Sequence, residues 1–285
     1  MFAGMAASFT MVVSATIVNV AVPSVIGAFG IGLDQAQLIT TGFNIAMVTS
    51  QLLSAWLVAA FGQRAGFLLM AAVFTLGSVI GGLGQTFDMV VVGRVLQGVA
   101  AGVIQPLVMV VAFQVFPADR RGYAMAIYSM GIFLAVAVGP VFGGFAIELL
   151  HWRYIFWAPL PIIFVAALMG WVFMPSVPSK ERKAFDWVGY ILLIVSVYCL
   201  VTAITQGNRE GWTSSYIAGL FITGITCGIV LVWTQLQSWS SLIDLTLFKN
   251  KQFAMVAFIA FVFGFGNFGT GYGVPVFGQL IQGMT

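Results

Sequence analysis

Residues 90–102 read VVVGRVLQGVAAG, and the arginine and glutamine are the only side chains in that run with chemistry to offer. Arg94 and Gln97 are three apart, so on a helix they share a face. A charge among such neighbours must be paired, hydrated, or carried to an interface by its own stem. The strongest partner for a guanidinium is a carboxylate. The eight acids are Asp34, Asp88, Asp119, Glu148, Glu181, Asp186, Glu210 and Asp244, and each falls in a loop or at the end of an apolar run. Arg94 is therefore expected to rest on neutral groups such as Gln97, backbone carbonyls and water, to snorkel, or to find its partner outside residues 1–285. No other chemistry competes with it. Cys199 and Cys227 lie inside apolar runs without metal-ligand or redox spacing, and His151 is the single histidine. There is no nucleophile–base or metal constellation, so neither an enzyme nor a metal or cofactor is expected. The net charge of +3 comes from dispersed basic residues, which argues against a nucleic-acid partner.

The elements that hold such a group follow from composition. The chain has 285 residues, 61% hydrophobic and 7% charged. Soluble domains carry about 25% charged residues. The mean hydropathy is +1.06. This is an integral membrane protein, with the lipid bilayer as its first partner. Uncharged stretches run 1–33, 35–63, 65–87, 95–118, 122–147, 154–179, 187–208, 211–243 and 252–285. Each exceeds the roughly 18–20 residues a helix needs to cross a bilayer core. Nine spans are expected, at 2–26, 38–61, 65–84, 89–113, 123–149, 154–174, 187–205, 215–234 and 253–280. The first charged residue is Asp34, so the basic start of a cleavable signal is missing. With the N-terminus in the cytoplasm, the inner loops hold Arg64, Arg120, Arg121, Lys180, Arg182, Lys183, Lys249 and Lys251, and the outer loops only Arg153 and Arg209. The positive-inside rule selects that orientation. Trp152, Trp157 and Trp212 then mark the outer boundary, Trp187 and Trp239 the inner one.

Three motifs add mechanism. The fourth span carries RVLQGVAAG at 94–102, the fifth carries AVAVGPVFGG at 135–144, and the first carries ATIVNVAVP at 15–23. Small residues four apart let helices approach backbone to backbone in lipid, and Pro140 bends its helix. Gly139, Pro140, Gly143 and Gly144 are thus read as a packing and bend motif. In this order and spacing the motifs resemble the major facilitator superfamily. More narrowly, the chain is similar to its fourteen-helix drug:proton antiporter branch (EmrB/QacA type). Supporting segments are Trp56–Gly62, GNREGW at 207–212 and IDLTLFK at 243–249.

The resemblance implies an all-α polytopic membrane protein. Residues 1–175 would form an N-terminal six-helix bundle of two inverted three-helix repeats. Residues 176–186 would be a cytoplasmic loop, 187–235 an inserted helix pair, and 236–252 a second cytoplasmic loop. Residues 253–285 would be the first helix of an incomplete C-terminal bundle. It further implies a proton-driven exporter of amphipathic small molecules in the inner membrane, with a periplasmic adaptor protein as a partner. Two departures matter. Antiporters of this branch carry an Asp in the first span where this chain has Ser14, so the common proton site is missing from residues 1–285. Ala59 and Ala60 replace the charged residues of the loop after the second span, leaving a plain turn at Gly62. The chain reads as a fragment or truncated product that does not transport alone, since alternating access needs two bundles. The alternative is a non-transporting module, or a half-transporter that needs a partner chain. Arg94 would act on protonation or on substrate charge. The substrate-cavity candidates are the polar residues of apolar spans: Ser14, Asn19, Asn44, Gln51, Gln97, Gln105, Ser129 and Asn267, with Tyr272 as an aromatic contact.

Overall fold

The computed structural model describes residues 2–174, 185–237, 242 and 244–280, with the backbone alone for 265 and 267–280. Among these residues there is no strand, as expected for a spanning chain whose backbone must satisfy itself within helices. The first expected span is α1 (Phe2–Phe29). The second is preceded by a short helix, α2 (Leu33–Ala36), and is broken into α3 (Leu38–Ser50) and α4 (Leu53–Phe61), which meet at 56°. The third and fourth are α5 (Gln63–Leu83) and α6 (Phe87–Val115), and the fifth is α7 (Arg121–Leu149). The sixth is split into α8 (Tyr154–Trp157) and α9 (Leu160–Phe173). Pro159 and Pro161 cause that split, because neither can donate to the preceding turn. Then follow α10 (Trp187–Glu210), α11 (Ser215–Gln237) and α12 (Lys251–Leu280). Among the described residues seven helical segments are long and apolar enough to cross a membrane, or eight if α3 and α4 make one span. The protein is an all-α polytopic membrane protein.

The described helices cluster into two units, residues 1–231 and 232–285. In the first unit α6 is central, packed on α5 on one side and on α3 on the other. Its small residues permit this. A methyl group at Gly93 would meet the Gly77 carbonyl of α5 at 2.6 Å. Methyl groups at Gly98 and Gly102 would collide with the carbonyls of Phe43 and Met47 on α3. Helix α1 packs along α7 and α9. Two apolar cores result. One joins Met11, Phe43, Phe67, Phe74, Ile104 and Leu107, and the other joins Ile17, Val25, Ile39, Trp152 and Phe156. Trp152 is buried beside Phe29, while Trp187 and Trp212 are exposed. Trp239 lies outside the described residues.

The turns are local chemistry. Gly62 takes φ +82°, open to glycine without strain, and caps α4 before α5 begins at once. Gly211 does the same at φ +84° after α10. In the second unit Asp244 caps the short 3₁₀ turn Leu245–Lys249. The side chain and then the amide of Thr246 donate to it, and these bonds hold its carboxyl below the usual carboxylate range.

Candidate functional site

Arg94 lies in the third turn of α6 with 1% of its surface exposed, so it does not snorkel. Its guanidinium reaches across to α1 and α3. Nη1 donates to Gln97 Oε1 at 2.8 Å and to both the carbonyl and Oγ of Ser14 at 3.1 Å. Nε points at the Ile39 carbonyl at 3.4 Å. The Phe43 ring lies beneath it, 4.2 Å from Cζ. That adds a cation–π contact in a dry site. Gln97 extends the network. Its Nε2 donates to Ser78 Oγ of α5 at 2.7 Å, while the Ser14 hydroxyl points at its Oε1 at 3.4 Å. Four helices, α1, α3, α5 and α6, thus meet at one charge.

Among the described residues every acceptor is neutral; no carboxylate pairs with Arg94. Insertion scales put a central arginine at about 2.5–3.5 kcal/mol. A hydrogen bond to a charged group contributes about 1.5–3 kcal/mol, so two good ones offset that cost. The set is not complete. Arg94 Nη2 is buried without a hydrogen-bond partner among the described residues.

The other sequence candidates are placed as follows. Ser14 and Gln97 are fully buried in the Arg94 network rather than lining an open cavity. Asn19, Asn44 and Gln51 are exposed, and Gln105 and Ser129 are half-buried. Thr40 Oγ1 lies 3.5 Å from Asn19 Oδ1. The side chains of Asn267 and Tyr272 lie outside the described residues. The α7 motif divides in two. Gly139 and Gly143 face α1, where added methyl groups would meet Thr16 and Ile17, whereas Gly144 faces open space and Pro140 is exposed. The pattern of polar residues in apolar helices did not single out Ser78 or Phe43. Ser78 sits in a small-residue run, and Phe43 is one of 26 phenylalanines. A cavity of about 340 Å³ between α1, α7 and α9, lined by Phe2, Met5, Phe9, Tyr128 and Met169, also had no sequence signal.

The sequence profile of the Major Facilitator Superfamily matches residues 4–285. The chain belongs to this superfamily. Among curated relatives, the multidrug export protein EmrB of Haemophilus influenzae is 32% identical over 251 residues, covering 87% of this chain and 49% of that protein. The lincomycin resistance protein LmrB of Listeria monocytogenes is 31% identical over 257 residues, covering 90% and 54%. An uncharacterized MFS-type transporter, YhcA of Bacillus subtilis, is 30% identical over 281 residues, covering 99% and 53%. The chain spans about half the length of the curated relatives it matches. Among solved structures, a peptide transporter POT in complex with sulfate superposes with a TM-score of 0.61 at 16% identity, over 84% of this chain and 52% of that one. That likeness is one of fold alone.

Proposed function

We propose that residues 1–285 supply one helix bundle of a proton-driven exporter of amphipathic small molecules. The observation that carries this reading is the match to drug-export relatives over most of the chain. The buried Arg94 supports it, because a charge kept inside a membrane bundle is expensive and marks a functional position by default. Arg94 holds four helices together and offers one unsatisfied donor to a charge that moves during transport. Without a carboxylate on α1, that charge is supplied by the second bundle or by the substrate. On α7, Met130, Phe133, Leu134, Phe142 and Phe145 are all exposed, an apolar face suited to lipid or to further helices. Asn19, Asn44, Gln51, Gln105 and Ser129 contribute to the walls of the substrate path. Domain limits follow the bundle at 1–175, the inserted pair at 187–235 and the next bundle from 253. The protein sits in the inner membrane with its N-terminus in the cytoplasm.

The test is the full product of the gene, expressed in cells stripped of their own exporters and loaded with a fluorescent amphipathic cation. Lowered dye accumulation that a protonophore abolishes is expected. Arg94→Ala is expected to abolish efflux while the protein still reaches the membrane in normal amount. Unchanged accumulation across a panel of amphipathic compounds, with the protein inserted, overturns the reading.

A further inference from the structure

We propose that the inserted helix α10 is a brace that sets the bend of the broken second span. The break between α3 and α4 contains neither proline nor glycine. Gln51 (φ −57°, ψ −38°) and Leu52 (φ −70°, ψ −24°) both keep helical dihedrals, yet the two helices diverge by 56°. A sharp bend without proline or glycine arises where side chains enter the helical hydrogen-bond ladder. Polar side chains do so here, and such back-bonding bends a helix. Thr49 Oγ1 donates back to the carbonyls of Ile45 and Ala46. Ser54 Oγ donates to the Gln51 carbonyl at 2.7 Å. These bonds loosen the helix at the break without fixing its angle, which is left to packing.

On one side α6 holds α3 through Gly98 and Gly102. On the other side stands α10, an unbroken helix of 24 residues. It runs along α3, and two sets of side chains join it to the second span. At the break, the Tyr190 hydroxyl lies 3.5 Å from Ser50 Oγ. Phe185, just before α10, sits between Trp56 of α4 at 4.9 Å and Tyr190 at 5.3 Å. Asp186 fixes the start of α10 by accepting from the Gly189 amide at 2.8 Å. At the far end, Arg209 pairs with Asp34, just ahead of α3, at 2.6 Å. At the rise of a regular helix, Tyr190 and Arg209 stand roughly 28 Å apart along the axis. Those two contacts hold α10 along α3, and Phe185 at its start meets Trp56 and so sets where α4 leaves. The aromatic end is the firm one. The Asp34–Arg209 pair is exposed and screened by salt, so it aligns α10 more than it holds it.

The bend is a property of the fold and does not depend on what is transported, so its test needs no efflux. Spin labels at Asn44→Cys on α3 and Ala59→Cys on α4, with Cys199→Ala and Cys227→Ala, report the distance across the break in the full chain in lipid nanodiscs. One narrow distance is expected. Phe185→Ala is expected to broaden it and shift it toward the roughly 22 Å of a continuous helix. Phe185→Leu, which keeps an apolar contact, gives a smaller shift and decides the matter if the alanine variant does not fold. Asp34→Arg is expected to broaden the distribution, and adding Arg209→Asp to restore it. Superimposable distributions for Phe185→Leu and the reference, or a reference that is itself broad, overturn the proposal.

Discussion

Gln97 carries more of the Arg94 network than its neutral amide suggests. It accepts from the guanidinium with one atom and donates to Ser78 with the other, so it ties α5 to a charge on α6. Gln97→Leu leaves two buried groups short of a partner at once. A loss of about 1–3 kcal/mol is expected, read as a lower thermal unfolding midpoint in detergent. Gln97→Glu keeps an acceptor for both neighbours and adds a counter-charge. Its midpoint is expected at or above the parent's; a fall as large as that of Gln97→Leu would show that the amide, not the acceptor, matters. Arg94 and Gln97 were legible in the sequence because a charge in an apolar run stands out. Ser78 and Phe43 were not, because serine and phenylalanine are ordinary residues in membrane helices and only contact distinguishes them.

At the scale of the element, the glycine motif of α7 shows how spacing is read and where it stops being informative. Gly139 and Gly143 are four apart and both meet α1, as a small-residue stripe requires. Gly144 belongs to the same run but lies one position round the helix, in open space. Gly139→Val is expected to cost about 1–3 kcal/mol through overpacking against Thr16. Gly144→Val is expected to change stability by no more than about 0.5 kcal/mol. Parallel unfolding curves check both, and equal losses would place the α1–α7 contact elsewhere. The broken spans divide in the same way. Pro159 and Pro161 account for the α8–α9 break, although hydropathy alone gives residues 154–174 as one span. The α3–α4 break has no such marker; it carries the back-bonding Thr49 and Ser54, residue types that are ordinary in membrane helices.

At the scale of the whole molecule, the placing of basic residues predicts topology. Cysteines replacing Arg64 and Arg120 are expected to label with a membrane-impermeant maleimide only in broken or inverted vesicles. Those replacing Arg153 and Arg209 are expected to label on intact cells. The reverse pattern would invert the protein and with it the direction of transport. Residues 1–285 expressed alone are expected to leave dye accumulation unchanged, because one bundle cannot expose a site to each side in turn. Robust efflux by that segment alone would sink the expectation. The sequence by itself determined the class of protein and the order of its spans. Hydropathy decides where a helix must cross, and charge decides which ends stay in water. It also determined which residue is out of place, because the cost of a buried charge is a property of the residue and its neighbours in the chain. Only the tertiary structure decided what Arg94 rests on, which glycines are contacts, and where the second span bends. Each of those depends on atoms brought together from distant parts of the chain. Arg94 and Ser14 are 80 residues apart, and Ser50 and Tyr190 are 140 apart. No local pattern encodes a contact across such a separation.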